Sequence, residues 1–189
     1  MEIKTIKDLV CLVDGTTLEK FLYNAKFDSK DEINITTIRK NCFKNVSSVE
    51  YLSIKTNSSL IIDESAFENS SKLKTVVLEN GSNDLVIQSD AFKSCNELDC
   101  VHIKTAGKII IEKNVFAQCY NLRVVILESG NVEIRDDAFE SSNDLCIISQ
   151  SNDDVEKYCS EHNFEYKGLN NEQTFSFRKK RACRNKWAT

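Results

Sequence analysis

One dipeptide, repeated at a near-constant interval, constrains this chain more than anything in its composition. Ala-Phe recurs as Ala66-Phe67, Ala91-Phe92 and Ala138-Phe139, and Val115-Phe116 and Cys42-Phe43 fill the same slot. The phenylalanines stand at 43, 67, 92, 116 and 139, at intervals of 24, 25, 24 and 23 residues. Each is followed six positions on by Val49, Leu73, Leu98, Leu122 or Leu145, and preceded five positions earlier by Ile38, Ile62, Ile87, Ile111 or Ile134. Three slots held over five copies mark a repeat architecture. One such unit cannot bury its apolar face alone, so neighbouring units must stack into a continuous core.

The unit "LIIDESAFENSSKLKTVVLE" reads as a short strand, a compact turn around Ala-Phe and a second strand with the pattern Leu-x-x-Val-x-Leu. Apolar residues alternate within each strand segment, as a half-buried strand requires. Leu73, Val76 and Leu78 should point inward, as should Leu98, Val101 and Ile103, and Leu122, Val125 and Leu127. Phe67, Phe92, Phe116 and Phe139 should form an internal stack beside them. The chain has no proline and five glycines, so residues other than the usual turn formers must set its turns.

The pattern Ile-x-x-x-Ala-Phe-x-x-Cys-x-x-Leu-x-x-Val-x-Ile, carried nearly slot for slot by "IQSDAFKSCNELDCVHI" and "IEKNVFAQCYNLRVVIL", resembles the BspA-type leucine-rich repeat, the LRR_5 class. The resemblance implies a mainly β fold with short helices: a right-handed leucine-rich-repeat solenoid of about five coils, capped at both ends. It also implies a role in protein–protein interaction and adhesion, often at cell surfaces. Units of this family usually carry Leu-Pro between their strands. Here "ENGSND", "KTAG" and "ESGN" stand in that place.

Four regions follow: an N-terminal cap over 1–32, repeats over 33–150, a helix-then-strand cap over 151–168 and a basic tail over 169–189. In the first cap, "TTLEKFLYNAKF" reads as a short helix opened by a Thr16–Glu19 capping box. In the second, Ser151 with Asp154 opens a helix with Val155, Tyr158 and Cys159 on one face, and Phe164 and Tyr166 alternate as in a strand. The tail holds six Lys or Arg against one acid, a net charge of +5, whereas the preceding 168 residues hold nineteen basic and twenty-eight acidic side chains, a net charge of −9. "RKKR" is compatible with nucleic acid, an anionic membrane or nuclear import. The alternatives are a solvated tail, or one that folds back on the acidic body, and Phe175, Phe177 and Trp187 favour partial docking. Nucleic acid is not expected as a partner beyond this tail.

The search for chemistry narrows to one strand. Cys100, His102 and Lys104 should point outward together, with Cys100 between Thr75 and Val124, and His102 between Val77 and Ile126. A nucleophilic thiol needs a base and an orienting group, and neither aligned neighbour of His102 is a carboxylate. A thiol-dependent enzyme or redox sensor at Cys100 and His102 is thus the alternative to an expected non-catalytic module. Cys95 and Cys119 read as buried structural thiols. There is no Cys-x-x-Cys or His-Glu-x-x-His and no glycine-rich phosphate loop, so no metal or cofactor is expected. The expected binding face comprises Tyr51, Val77, Glu79, Cys100, His102, Lys104, Val124, Ile126, Glu128 and Ile147, with a protein as partner. A second outward column, Ile61, Val86 and Ile110, ending at Glu133, could support self-association. No run approaches the 18 apolar residues of a membrane span, and eight cysteines without an export signal point to a cytoplasmic, reducing compartment. A cell-surface or secreted location would apply to a longer precursor.

Overall fold

Each repeat contributes two short strands, and strands of successive repeats pair in parallel, so one coil satisfies the backbone polar groups of the next. The computed structural model describes residues 2–6, 9–14, 17–24, 35–150 and 152–169. In chain order its elements are β1 (Glu2–Ile6), β2 (Leu9–Asp14), β3 (Thr17–Asn24), β4 (Thr37–Ile38), β5 (Tyr51–Thr56), β6 (Leu60–Ile62), β7 (Thr75–Asn80), β8 (Leu85–Ile87), β9 (Cys100–Lys104), β10 (Ile109–Ile111), β11 (Val124–Glu128), β12 (Val132–Ile134), β13 (Cys146–Ser149), α1 (Asp153–His162) and β14 (Glu165–Gly168). They form two sheets, ordered β1-β2-β3-β4-β6-β8-β10-β12 and β14-β13-β11-β9-β7-β5. The fold is a mostly β solenoid of about five turns with one short helix.

Between the sheets lies the core that the repeat demands. Leu73, Val76, Leu78, Leu98, Val101, Ile103, Leu122, Val125 and Leu127 are all buried. The five phenylalanines stack face to face, with centroid separations of 4.6, 4.9, 5.4 and 5.2 Å from Phe43 to Phe139. Parallel strands sit about 4.8 Å apart, so one ring per coil lands at a favourable stacking distance.

The turns around each Phe answer the lack of glycine and proline. The backbone is left-handed two residues before and two residues after every stack phenylalanine: at Asn41, Ser65, Asp90, Asn114 and Asp137, and at Asn45, Asn69, Ser94, Gln118 and Ser141, with φ between 56° and 68°. Asn, Asp and, less readily, Ser tolerate this region because their short polar side chains can hydrogen-bond locally. The turn then zips to the next coil. The Phe43, Phe67, Phe92 and Phe116 N–H groups donate to the carbonyls of Ala66, Ala91, Val115 and Ala138 at 2.7–2.9 Å.

Three residues after Phe67, Phe92 and Phe116 sits a small side chain that ties the coil to the one before it. Ser70 Oγ donates to the Phe43 carbonyl, Cys95 Sγ to that of Phe67 and Cys119 Sγ to that of Phe92. Cys95 and Cys119 are thus buried, hydrogen-bonded thiols.

At the corners between the sheets, buried polar side chains of the links "ENGSND", "KTAG" and "ESGN" hold the turns. Asn80 Nδ2 donates to the carbonyls of Asn83 and Asp84, Thr105 Oγ1 to Asn83 and Ser129 Oγ to Gly107. Gly107 is required by close approach, because a Cβ there would lie 2.5 Å from the Asn83 carbonyl.

Both caps depart from the sequence expectation in detail. Thr17–Asn24 is strand β3, not a helix, and Thr16 lies outside the described residues. The first coil presents an open sheet edge whose unpaired backbone groups are satisfied by β3, with Thr17 opposite Thr37 and Leu18 opposite Ile38. That tertiary pairing overrides local helix signals. At the other end the N-cap is Asn152, one residue beyond Ser151, accepting from the Asp154 and Val155 N–H groups. Val155, Tyr158 and Cys159 are buried as expected, and Tyr158 and Phe164 meet Phe139 edge-on to close the stack. The β14 strand then adds a sixth rung beside β13.

Phe92→Ala should cost about 3–5 kcal/mol by urea unfolding. Phe43→Ala should cost less, since among the described rings Phe43 has one stacked neighbour and Phe92 two. Asn114→Val should lose about 1–3 kcal/mol through left-handed strain, whereas Asn114→Gly should be neutral or stabilising.

Candidate functional site

The outward face of the sheet that runs from β5 to β14 carries the chemistry-bearing residues. Strand register sets three rows across it. The first is Tyr51, Thr75, Cys100, Val124 and Cys146, and the second is Ser53, Val77, His102, Ile126 and Ile148. The third is Lys55, Glu79, Lys104 and Glu128. In this third row Lys55 lies 3.7 Å from Glu79 and Lys104 lies 3.2 Å from Glu128.

Access changes along the face. Tyr51 is 57% exposed on β5, and Thr75, Val77 and Glu79 are half-buried on β7. On the next three strands, β9, β11 and β13, the face closes: His102, Ile126 and Ile148 are 8%, 6% and 2% exposed. Cys100, Val124, Ile126, Cys146 and Ile148 form a second apolar cluster, separate from the core, and Leu169 packs against it. Six of the ten expected binding residues are therefore buried: Cys100, His102, Val124, Ile126 and Glu128 on this patch, and Ile147 elsewhere. Lys104 remains exposed at the rim.

Ile147 is a correction of register. It pairs with inward Val125 and is wholly buried in the main core, so it is not on the outward face. The last repeat keeps Phe139 and Leu145 at the usual spacing but has one residue fewer before its strand. Cys146 and Ile148 therefore take the outward slots.

The cluster's polar centre is a buried His–carboxylate pair. His102 Nε2 lies 2.7 Å from Glu128 Oε1, and the other carboxylate oxygen takes Lys104. Glu128 is diagonal to His102, two residues along the neighbouring strand. An expectation confined to directly aligned neighbours passes over that reach, although long side chains span it. Burial acts most strongly on Glu128 and opposes its ionisation. The hydrogen bonds from His102 and Lys104, with the positive charge of both groups, outweigh burial and hold the carboxyl below the ordinary glutamate value.

Other thiols are held unreactive. The link to Cys119 and burial push the Cys95 thiol far up, and burial pushes Cys159 up to about 11. His162 lies in the last turn of α1, stacked on Tyr158. Among the described residues no group of three or more His, Cys, Asp or Glu could hold a metal ion, and no helix is long and apolar enough to cross a membrane.

The second expected column, Ile61, Val86 and Ile110, is in register across β6, β8 and β10 and half-buried. It ends at Glu133, which pairs with Lys108 and Arg135. The "RKKR" segment lies outside the described residues.

A family model for the BspA type leucine rich repeat region matches residues 30–170, in six copies. That is one copy more than the five counted from the phenylalanines, and the match runs through α1 and β14. No curated protein and no solved structure matches the chain.

Glu128→Gln should cost about 1–3 kcal/mol near neutral pH, since it weakens the partnering of a buried imidazole. Because the folded carboxyl is held below its ordinary value, its contribution is complete above the unfolded value of about 4.3 and is lost as pH falls through the lowered folded value. Urea unfolding at pH 6.5 and pH 3 should therefore show the gap between wild type and variant close on acidification.

Proposed function

Because the chain belongs to the BspA-type leucine-rich repeat family, we propose that it is a non-catalytic protein–protein interaction module. Its binding surface is the open end of the outward sheet face, used to hold a protein partner, with adhesion as one form of that role. The observation that carries this reading is Tyr51, a large aromatic side chain left 57% exposed on a strand whose neighbours are rigidly stacked. Exposed tyrosines on a preorganised scaffold are efficient anchors, because little freedom is lost when they are covered. Val77 extends the apolar surface. Lys55, Glu79 and Lys104 supply a rim of alternating charge that favours specificity and approach rate more than affinity. Cys95 and Cys119, kept as thiols bonded to backbone carbonyls, also support a reducing compartment, which we propose as its location.

A second reading rests on Glu128. With His102 oriented by a buried carboxylate and Cys100 on the same strand face, two polar parts of a thiol site are present. Against it, Cys100 is enclosed by Val124, Ile126, Cys146 and Ile148, surroundings that disfavour a thiolate and the approach of a substrate.

Tyr51→Asp with Val77→Asp should leave folding intact and reduce partner capture at least tenfold, whereas Tyr120→Asp, at an exposed turn position, should leave capture unchanged. Undiminished capture by the double variant would place the contact on another face. The thiol reading requires rapid alkylation of Cys100 below about pH 7, and a slow rate there removes it.

A further inference from the structure

The closed patch on the outward face has an edge on both sides, and that shape calls for an occupant. In its first row, access runs from exposed Tyr51 through half-buried Thr75 to buried Cys100, Val124 and Cys146, then returns to exposed Glu165. The sheet cannot produce this pattern itself, because the same face of the same sheet is open at β5 and β14. The burial calls for a cover about three strands wide, roughly 10 Å between outer strand axes, over β9, β11 and β13.

We propose that the chain's own C-terminal segment, residues 170–189, is that cover. Leu169 is where the described chain reaches the patch: its N–H donates to the Ser149 carbonyl at 2.6 Å and its side chain packs on the cluster. Twenty residues follow, a reach of up to about 70 Å if extended, several times the width to be covered. They include Phe175, Phe177 and Trp187, apolar groups of the kind the patch would bury. Their neighbours bring the tail to a net charge of +5 against −9 for the first 168 residues, which favours docking on the chain's own body. The N-terminal strands are poorly placed to compete. β1, β2 and β3 extend the other sheet, beyond β4, at the end of the solenoid where the outward face stays open at Tyr51.

The test uses the full-length chain and needs no partner, so its outcome is independent of the interaction reading. A photo-reactive residue in place of Lys104, at the rim of the patch, should cross-link within its own chain to peptides from 170–189. A covalent dimer, a map confined to other residues, or no adduct would overturn the proposal. In the same full-length background, Phe175→Ser, Phe177→Ser and Trp187→Ser together should speed labelling of Cys100 and Cys146 at least tenfold by site-resolved mass spectrometry. Cys95 and Cys119, inside the core, should stay protected. Unchanged labelling at Cys100 and Cys146 would overturn it. Labelling of all four thiols would signal loss of the fold and leave the cross-link map to decide.

Discussion

Everything in this solenoid depends on the stacking of one aromatic ring per coil inside a turn held open by left-handed residues. The rings from Phe43 to Phe139 sit 4.6–5.4 Å apart because parallel strand pairing already sets that interval. The turn residues at Phe−2 and Phe+2 let the chain reverse on both sides of the ring. The Phe N–H and the side chain at Phe+3 then bind to the coils after and before. Successive coils are thus tied at one corner by a ring and a backbone bond, and three of them also by a side-chain bond from Ser70, Cys95 or Cys119, an arrangement in which stability sums over interfaces.

That corner frees the opposite side of the coil. With the core held by Phe, Leu, Val and Ile on inward slots, the outward slots of the β5-to-β14 sheet carry no packing duty within the coil and can vary. They vary in a graded way: polar and exposed at β5, mixed at β7, apolar and closed from β9 to β13. Coil-to-coil ion pairs such as Lys74–Glu50 and Arg123–Asp99 run along the exterior at intervals of one repeat. Each is solvated and contributes little alone, so they bear on register more than on stability.

Glu128 illustrates how the solenoid builds a site. Its carboxylate reaches diagonally across one strand spacing to His102 and directly to Lys104, and the hydrogen bonds and charge of those two partners outweigh its burial. No single repeat contains this arrangement. It arises when two coils with different outward residues become neighbours, which is how a repeat scaffold acquires chemistry without altering its core.

Much of this was legible in the chain itself. A two-dozen-residue period with Phe, Leu and Ile in constant slots is a local pattern, and it determined the coil, the inward set and the family, because burial leaves few residue types acceptable there. The left-handed turns were also written in the sequence, as Asn, Asp and Ser at nine of the ten positions around the phenylalanines, with Gln118 the tenth, though their meaning emerges only with φ. Three matters were decided by tertiary structure. The segment from Thr17 to Asn24 pairs as a strand because an open sheet edge is a stronger partner than its own helical turn. Ile147 turns inward because one missing residue in the last repeat shifts strand register, and a period-two strand converts a shift of one into a change of face. The outward residues of β9, β11 and β13 are buried, with Leu169 from beyond the repeats packed against them, and periodicity within a repeat carries no information about what packs on it from beyond.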